Sequence, residues 1–156
     1  MLLRILTTES EVYQAAIDYL SRREHASQEL KSKLKAKGAD DNLIDVVLTR
    51  VQTLGYQSDE RYIEMIIRSR KARGYGPNYI RQMLQQFRLD SSLIDAYIDS
   101  RNPEWNRCAY QQLSKKFKQP ETEFKLRQKQ QQHLYQRGFS PEQIRSALSL
   151  FDQAFE

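Results

Sequence analysis

The chain has 156 residues, 39% of them hydrophobic and 29% charged, with five Gly, four Pro and one cysteine. That length buries a core without metal or disulfide staples, and the dominance of helix-forming residues argues against a sheet protein. A net charge of +5 and a pI near 9.3 point to an anionic partner, and no apolar run is long enough for a membrane span.

The opening MLLRIL is too short for the apolar region of a signal peptide and lacks a small-residue cleavage site. With the lone Cys108, which has no internal partner, it predicts a soluble protein of a reducing, cytoplasmic compartment. Val12, Tyr13, Ala16, Ile17 and Leu20 then form the first helical stripe. Leu30 and Leu34 carry a second helix to Gly38, a left-handed stop. Asp40 or Asp41 caps a third, with Ile44, Val47, Leu48, Val51 and Leu54 inward and Gly55 as its end.

Ser58 is the next N-cap. Tyr62, Ile63, Ile66 and Ile67 make the fourth stripe, Tyr79, Ile80, Met83, Leu84 and Phe87 the fifth, and Leu93, Ile94, Tyr97 and Ile98 the sixth. RNPEW, with Pro103, marks a boundary, and KQPETE a turn. The last three stripes are Trp105, Cys108, Ala109 and Leu113; Leu134 and Tyr135; then Ile144, Ala147, Leu148 and Phe151.

These elements repeat. LKAKGADDNLIDVVL (34–48), LQQFRLDSSLIDAYI (84–98) and LYQRGFSPEQIRSAL (134–148) superpose without gaps at offsets of 50 and 100. Leu34, Leu84 and Leu134 align, as do Ile44, Ile94 and Ile144. The expected fold is all-α: three tandem three-helix repeats over 1–57, 58–101 and 102–156, stacked into an elongated, curved array because each unit has too small a core alone. A compact nine-helix globule is the alternative.

Charge is concentrated in two places. RSRKAR (68–73) carries Arg68, Arg70, Lys71 and Arg73 and ends on Gly74-Tyr75-Gly76-Pro77. Gly74 and Gly76 permit positive φ there, and Pro77 suits the first turn of a new helix. The N–H groups of that start, with Arg81 one turn on, would receive an anion, and Tyr75 would stack on a base. The second cluster is Lys115, Lys116, Lys118, Lys125, Arg127, Lys129 and Arg137, facing only Glu121 and Glu123. Both clusters are candidates for phosphates or an acidic protein surface; as solvated helix faces they would carry no function.

Little suggests catalysis. GYGPNY follows a helix and has Tyr79 where a dinucleotide fingerprint needs its third glycine, and no phosphate-binding Gly-Lys-Ser/Thr loop occurs. His25 and His133 lack neighbours at metal-ligand spacing. Asp40-Asp41 and Asp59-Glu60 read as helix-start acids, and the tyrosines at 13, 62, 79 and 97 as core. No enzyme, cofactor or metal is expected.

YLSRREHASQELKSKL (19–34) and DERYIEMIIRSRKARGYGPNYIRQML (59–84) together resemble the RecX family of recombination regulators. The motifs are Arg-Arg-Glu-His followed by Glu-Leu and Lys-Leu, Asp-x-Arg-Tyr before a basic helix, and Arg-x-x-x-x-Gly-Tyr-Gly-Pro-x-x-Ile-Arg. LYQRGFSPEQI extends the likeness more loosely into the third unit. The resemblance implies tandem three-helix repeats and a monomer that binds the RecA–single-stranded DNA filament, restraining its ATPase, strand-exchange and co-protease activities. It also implies direct DNA binding of varying strength; a helical DNA-binding protein acting without RecA, or a pure protein scaffold, are the rivals. Two departures stand out. Ala26 occupies the place of a capping serine, so Ser27 must cap or the cap is lost, and Ser58-Asp59 replaces paired aspartates.

Overall fold

The computed structural model describes residues 5–156; residues 1–4, which open the MLLRIL stretch, lie outside the described residues. Those described form nine α-helices and no strand: α1 (Glu9–Arg22), α2 (Ser27–Ala36), α3 (Asp41–Thr53), α4 (Asp59–Ala72), α5 (Pro77–Gln85), α6 (Ser91–Tyr97), α7 (Glu104–Lys116), α8 (Phe124–Gln136) and α9 (Pro141–Ala154). The all-α expectation and its three three-helix segments hold.

The repeat is visible in backbone geometry. Gly38, Arg88 and Gly138 stand at offsets of 50 and 100, and all have positive φ, at 86°, 56° and 98°. Ala39, Leu89 and Phe139 follow them into the core, as Leu34, Leu84 and Leu134 precede them. The left-handed residue reverses the chain so that one side chain before it and one after it bury on the same side. Asp40 and Ser140 then cap α3 and α9 through their side chains, and Ser58 Oγ accepts from Arg61 N at 3.2 Å.

The chain packs as two compact units, one of residues 1–65 with 86–90 and the other of 66–85 with 91–156; α4 runs along the chain from the first into the second. In the first unit α1 packs chiefly on α3 around Val12, Ala16, Leu30, Leu34, Ile44, Val47 and Val51. The start of α2 departs from the expected cap. Ala26 offers no side-chain bond and Ser27 does not replace it. Asp59, 32 residues further on, accepts from Ser27 N at 2.8 Å and from Ser27 Oγ at 3.2 Å, so a tertiary contact satisfies the helix start. Glu29 is buried and takes a two-pronged contact from Arg23 at 2.5 and 3.0 Å.

His25 is buried behind α2. Its Nδ1 lies 3.0 Å from the Arg23 carbonyl and its Nε2 2.9 Å from Lys33 Nζ. An ammonium only donates, so Nε2 is the bare nitrogen and the ring is neutral. Burial first, and then the positive charges of Arg23 and Lys33, push its pKa below the usual histidine value, against the pull of the Arg23 carbonyl and Glu29.

In the second unit α7 packs chiefly on α9. Its α7–α8 connection, residues 117–123, is longer than the equivalent 23–26 and 73–76. Gln130, at the place of the buried Leu30 and Ile80, is fully buried and ties this connection down: its Nε2 donates to the Gln119 carbonyl at 3.0 Å and its Oε1 accepts from Glu121 N at 3.4 Å. A buried amide is tolerated because both its groups are bonded.

Three expected core residues lie outside it: Leu54 is 51% exposed, Tyr97 37% and Tyr135 66%. Leu54 follows the end of α3, and Tyr97 closes the short α6. Tyr135 is turned about 100° from Leu134, and the buried line of α8 runs through Gln130 and Leu134.

Candidate functional site

Both basic clusters lie largely in the second unit, where a turn-to-turn contact sets their geometry. Gly74 has a φ of +84° as expected. Gly76 does not take positive φ; its glycine answers a different need. A Cβ there would lie 2.6 Å from the carbonyl carbon and oxygen of Gly138, closer than packed atoms allow. Gly76 N donates to the Arg137 carbonyl at 2.7 Å and Asn78 N to the Gly138 carbonyl at 3.0 Å. The N–H groups of Gly76 and Asn78 at the start of α5 are therefore taken by protein carbonyls and are not free to hold an anion.

Arg137 completes the junction. Its guanidinium donates to the carbonyls of Arg73 and Gly74, the latter at 3.3 Å, and stands 3.9 Å above the Tyr75 ring. The other face of Tyr75 stacks on Tyr79, with centroids 3.9 Å apart and planes 12° apart. Both faces of Tyr75 are thus occupied within the fold, leaving neither for a base.

Several cations of the two clusters are paired. Lys71 Nζ meets Glu104 at 2.7 Å and lies 5.1 Å from the Trp105 ring centroid. The hydrogen bond and charge of Lys71 hold the Glu104 carboxyl below its usual pKa. Arg70 bonds to Ser69 Oγ at 3.0 Å and points its Nε at the Met83 sulfur. Arg81 pairs with Asp95 and reaches the Ile98 carbonyl at 3.3 Å. Arg127 grips Asp152 with two bonds, at 2.8 and 3.0 Å.

Arg68, Arg73, Lys115, Lys116, Lys118, Lys125 and Lys129 are exposed, and none has a carboxylate partner among the described residues. Lys125, Lys129 and His133 recur every fourth residue of α8, and Arg137, its C-cap, follows one turn on, so they form a row about 18 Å long that winds by about 40° per step. Phe117 meets His133 edge-on at 5.6 Å, and Gln112 Nε2 lies 2.9 Å from His133 Nε2. Burial, with the charges of Arg137 and then Lys116, lowers the His133 pKa, keeping that ring neutral between its cationic neighbours. Arg137 has carbonyls and a ring for partners, so its charge stays uncompensated and links this edge to Arg73. The ends of two basic stretches separated in sequence are thereby in contact.

Sequence reasoning counted Arg137 as one more cation and missed that it joins the clusters. The signal was Gly138, aligned with Gly38 at the end of a repeat helix. It also missed Gln130, visible only by reading Leu30, Ile80 and Gln130 as one column. Among the described residues no group of three or more His, Cys, Asp or Glu is placed to hold a metal.

The fold and this surface define an all-helical protein of three three-helix segments that presents a fixed row of uncompensated cations. Comparison with known proteins makes the class specific. The models of the first, second and third three-helix domains of RecX match residues 13–50, 58–98 and 106–148. The regulatory protein RecX of Legionella pneumophila (strain Corby) is 39% identical over 136 residues, covering 86% of this chain and 91% of that one. That of Pseudomonas entomophila is 38% identical over 146 residues, covering 93% and 94%. The crystal structure of RecX from Lactobacillus salivarius shares the fold with a TM-score of 0.75, at 22% identity over 93% of this chain and 97% of that one. The chain belongs to the RecX family.

Proposed function

We propose that this protein is a non-enzymatic, cytoplasmic negative regulator of RecA that acts as a monomer. It binds the RecA–single-stranded DNA filament and restrains ATP hydrolysis, strand exchange and co-protease activity. Family membership supports the regulatory role. The observation that carries the contact surface is the cation edge of α8, Lys125 and Lys129, continued through Arg137 to Arg73 with no carboxylate to neutralise it. Such a row meets the phosphates of the bound strand or an acidic face of RecA, with Arg68, Lys115, Lys116 and Lys118 widening the field. Lys71, Arg81 and Arg127 serve it indirectly, by holding α4, α5 and α8 in place through their ion pairs.

The test titrates the protein into preassembled RecA filaments, following DNA-dependent ATPase, and measures binding to naked single-stranded DNA in the same buffer. Loss of ATPase at protein well below RecA, with weak naked-DNA binding, is the expected result. Loss only at concentrations that coat free DNA shows a DNA-binding protein acting without RecA. A folded variant with Arg68, Arg73, Lys125 and Lys129 changed to Gln should bind filaments more weakly and with less salt dependence; unchanged affinity and slope would refute the surface assignment.

A further inference from the structure

The cation edge is only part of what α8 exposes. With about 100° between successive residues, Lys125 and Lys129 lie on one edge of the exposed face, Gln128 and Gln132 along its middle, and Phe124, Gln131 and Tyr135 on the opposite edge. Phe124 is 77% exposed and Tyr135, which the stripe pattern places in the core, is 66% exposed. These two rings stand eleven residues apart, about 16 Å along the axis. Two open grooves meet at Tyr135. One, of about 520 Å³, is otherwise lined by Gln128, Gln131, Gln132, Pro141, Ile144 and Arg145. The other, of about 540 Å³, sets Asn78, Gln82, Gln85 and Gln136 beside Tyr79, Arg81 and Phe139. Neither lining includes a carboxylate.

This composition selects its occupant. A carboxamide places a donor beside an acceptor and, by turning over, offers them in either order. The Watson–Crick edge of every unpaired base presents such donor–acceptor neighbours, so a file of glutamines can bond any base without reading sequence. Exposed rings stack on base faces, which only an unstacked strand offers. An apolar peptide or a lipid surface would instead favour an uninterrupted apolar floor, and here seven carboxamides and the guanidiniums of Arg81 and Arg145 break up the apolar surface of Tyr79, Phe139, Pro141 and Ile144. The lysine edge beside it supplies charge for a phosphodiester backbone. The long connection leading into α8 is pinned by the buried Gln130, and Glu123, which precedes Phe124, accepts from the first-turn N–H groups of Lys125 and Leu126. The face is therefore held in place before any ligand arrives.

We propose that the exposed face of α8 binds single-stranded nucleic acid without sequence specificity: phosphates lie along Lys125 and Lys129, bases stack on Phe124 and Tyr135, and the intervening glutamines bond the base edges. This deepens the preceding reading by fixing where a strand lies, and depends on its placement of DNA at α8 but not on RecA.

The test compares three probes by fluorescence anisotropy: an unpaired oligodeoxynucleotide of mixed sequence, an abasic chain of the same length, and the duplex. The unpaired probe should bind about fivefold or more tighter than the abasic one, with the duplex weaker than the unpaired strand. Phe124→Ala and Tyr135→Ala should each cost about fivefold or more on the unpaired probe, with no change on the abasic probe and none in salt slope. Both side chains are exposed, and circular dichroism confirms that the variants are folded. Equal affinity for unpaired and abasic chains, duplex binding as tight as single-strand binding, or ring variants that behave like the parent would overturn the assignment. If binding is base-independent while RecA's ATPase is still restrained, this inference fails and the regulatory reading stands; base-dependent binding without an effect on ATPase supports this inference and removes that reading.

Discussion

Helices α2 and α8 hold equivalent places in the first and third segments, with Leu34 matching Leu134 and Gly38 matching Gly138, yet they treat charge in opposite ways. Around α2, Lys31 faces Asp45 and Lys35 faces Asp41, each at 3.7 Å; Arg23 grips Glu29, and Lys33 is bonded to His25. On α8 the corresponding pairs are gone. One hundred residues on, Asp41 becomes Pro141 and Asp45 becomes Arg145, while Lys31 and Lys35 become Gln131 and Tyr135. Only Arg127 keeps a carboxylate, Asp152. Exposed ion pairs contribute about 0–1 kcal/mol each, so the difference has little to do with stability. It decides whether a helix shows its surroundings a neutralised surface or a positive field. One scaffold thus serves as framework at one end of the sequence and as a candidate docking face at the other.

The equivalent glycines offer the widest separation between the two segments. A Cβ at Gly138 would lie 2.5 Å from the Tyr79 backbone nitrogen, whereas at Gly38 its nearest contact is the exposed Ile5 side chain, at 2.8 Å, which can turn away. Gly138→Ala should cost about 3 kcal/mol or more, combining overpacking with left-handed strain, and Gly38→Ala about 1–2 kcal/mol from strain alone. Urea denaturation measures both; equal costs would show that the turn-to-turn contact does not constrain the fold.

The charge contrast can be tested on single-stranded DNA. Lys125→Gln and Lys129→Gln should each lower the salt slope of binding by about 0.7, and Lys31→Gln and Lys35→Gln should leave it unchanged. A slope that falls equally for both pairs would mean that net charge, not the α8 edge, drives association.

A smaller effect separates the two histidines. His25 has its native pKa lowered, so its unfolded form binds the proton more readily. The stability this represents is complete above about pH 6.5 and is lost as pH falls from there through the lowered native value. The denaturation midpoint should drop between about pH 7.5 and pH 5.5, and His25→Gln should remove more of that drop than His133→Gln, because His133 is less buried. Parallel pH profiles for the parent and His25→Gln would refute the neutral, Lys33-bonded ring.

The smallest expected change is a gain. Arg88 occupies the left-handed position that glycine holds in the other two segments, and Arg88→Gly should stabilise by about 0.5–1 kcal/mol. No gain in urea midpoint would mean that relief of strain is cancelled by the added freedom of the unfolded chain.

Much of the architecture was legible in the sequence because its causes are local. Apolar stripes at helical spacing, Asp40, Ser58 and Pro77 at helix starts, and Gly38 at a helix end each act within about one turn of their own position. The fifty-residue offset needed only counting, and the RecX motifs only reading. The tertiary structure alone decided how distant residues complete one another. Asp59 caps a helix that begins at Ser27, Gly76 is small because Gly138 arrives against it, and Arg137 bonds to the Arg73 carbonyl 64 positions away, joining the ends of two basic stretches. It also sorted the cations, since Lys71 is neutralised by Glu104 and Arg127 by Asp152 while Lys125 and Lys129 are left bare. A charge count along the chain treats all of them alike; neutralisation falls off over a few ångströms through space, and that distance is set by packing rather than by sequence.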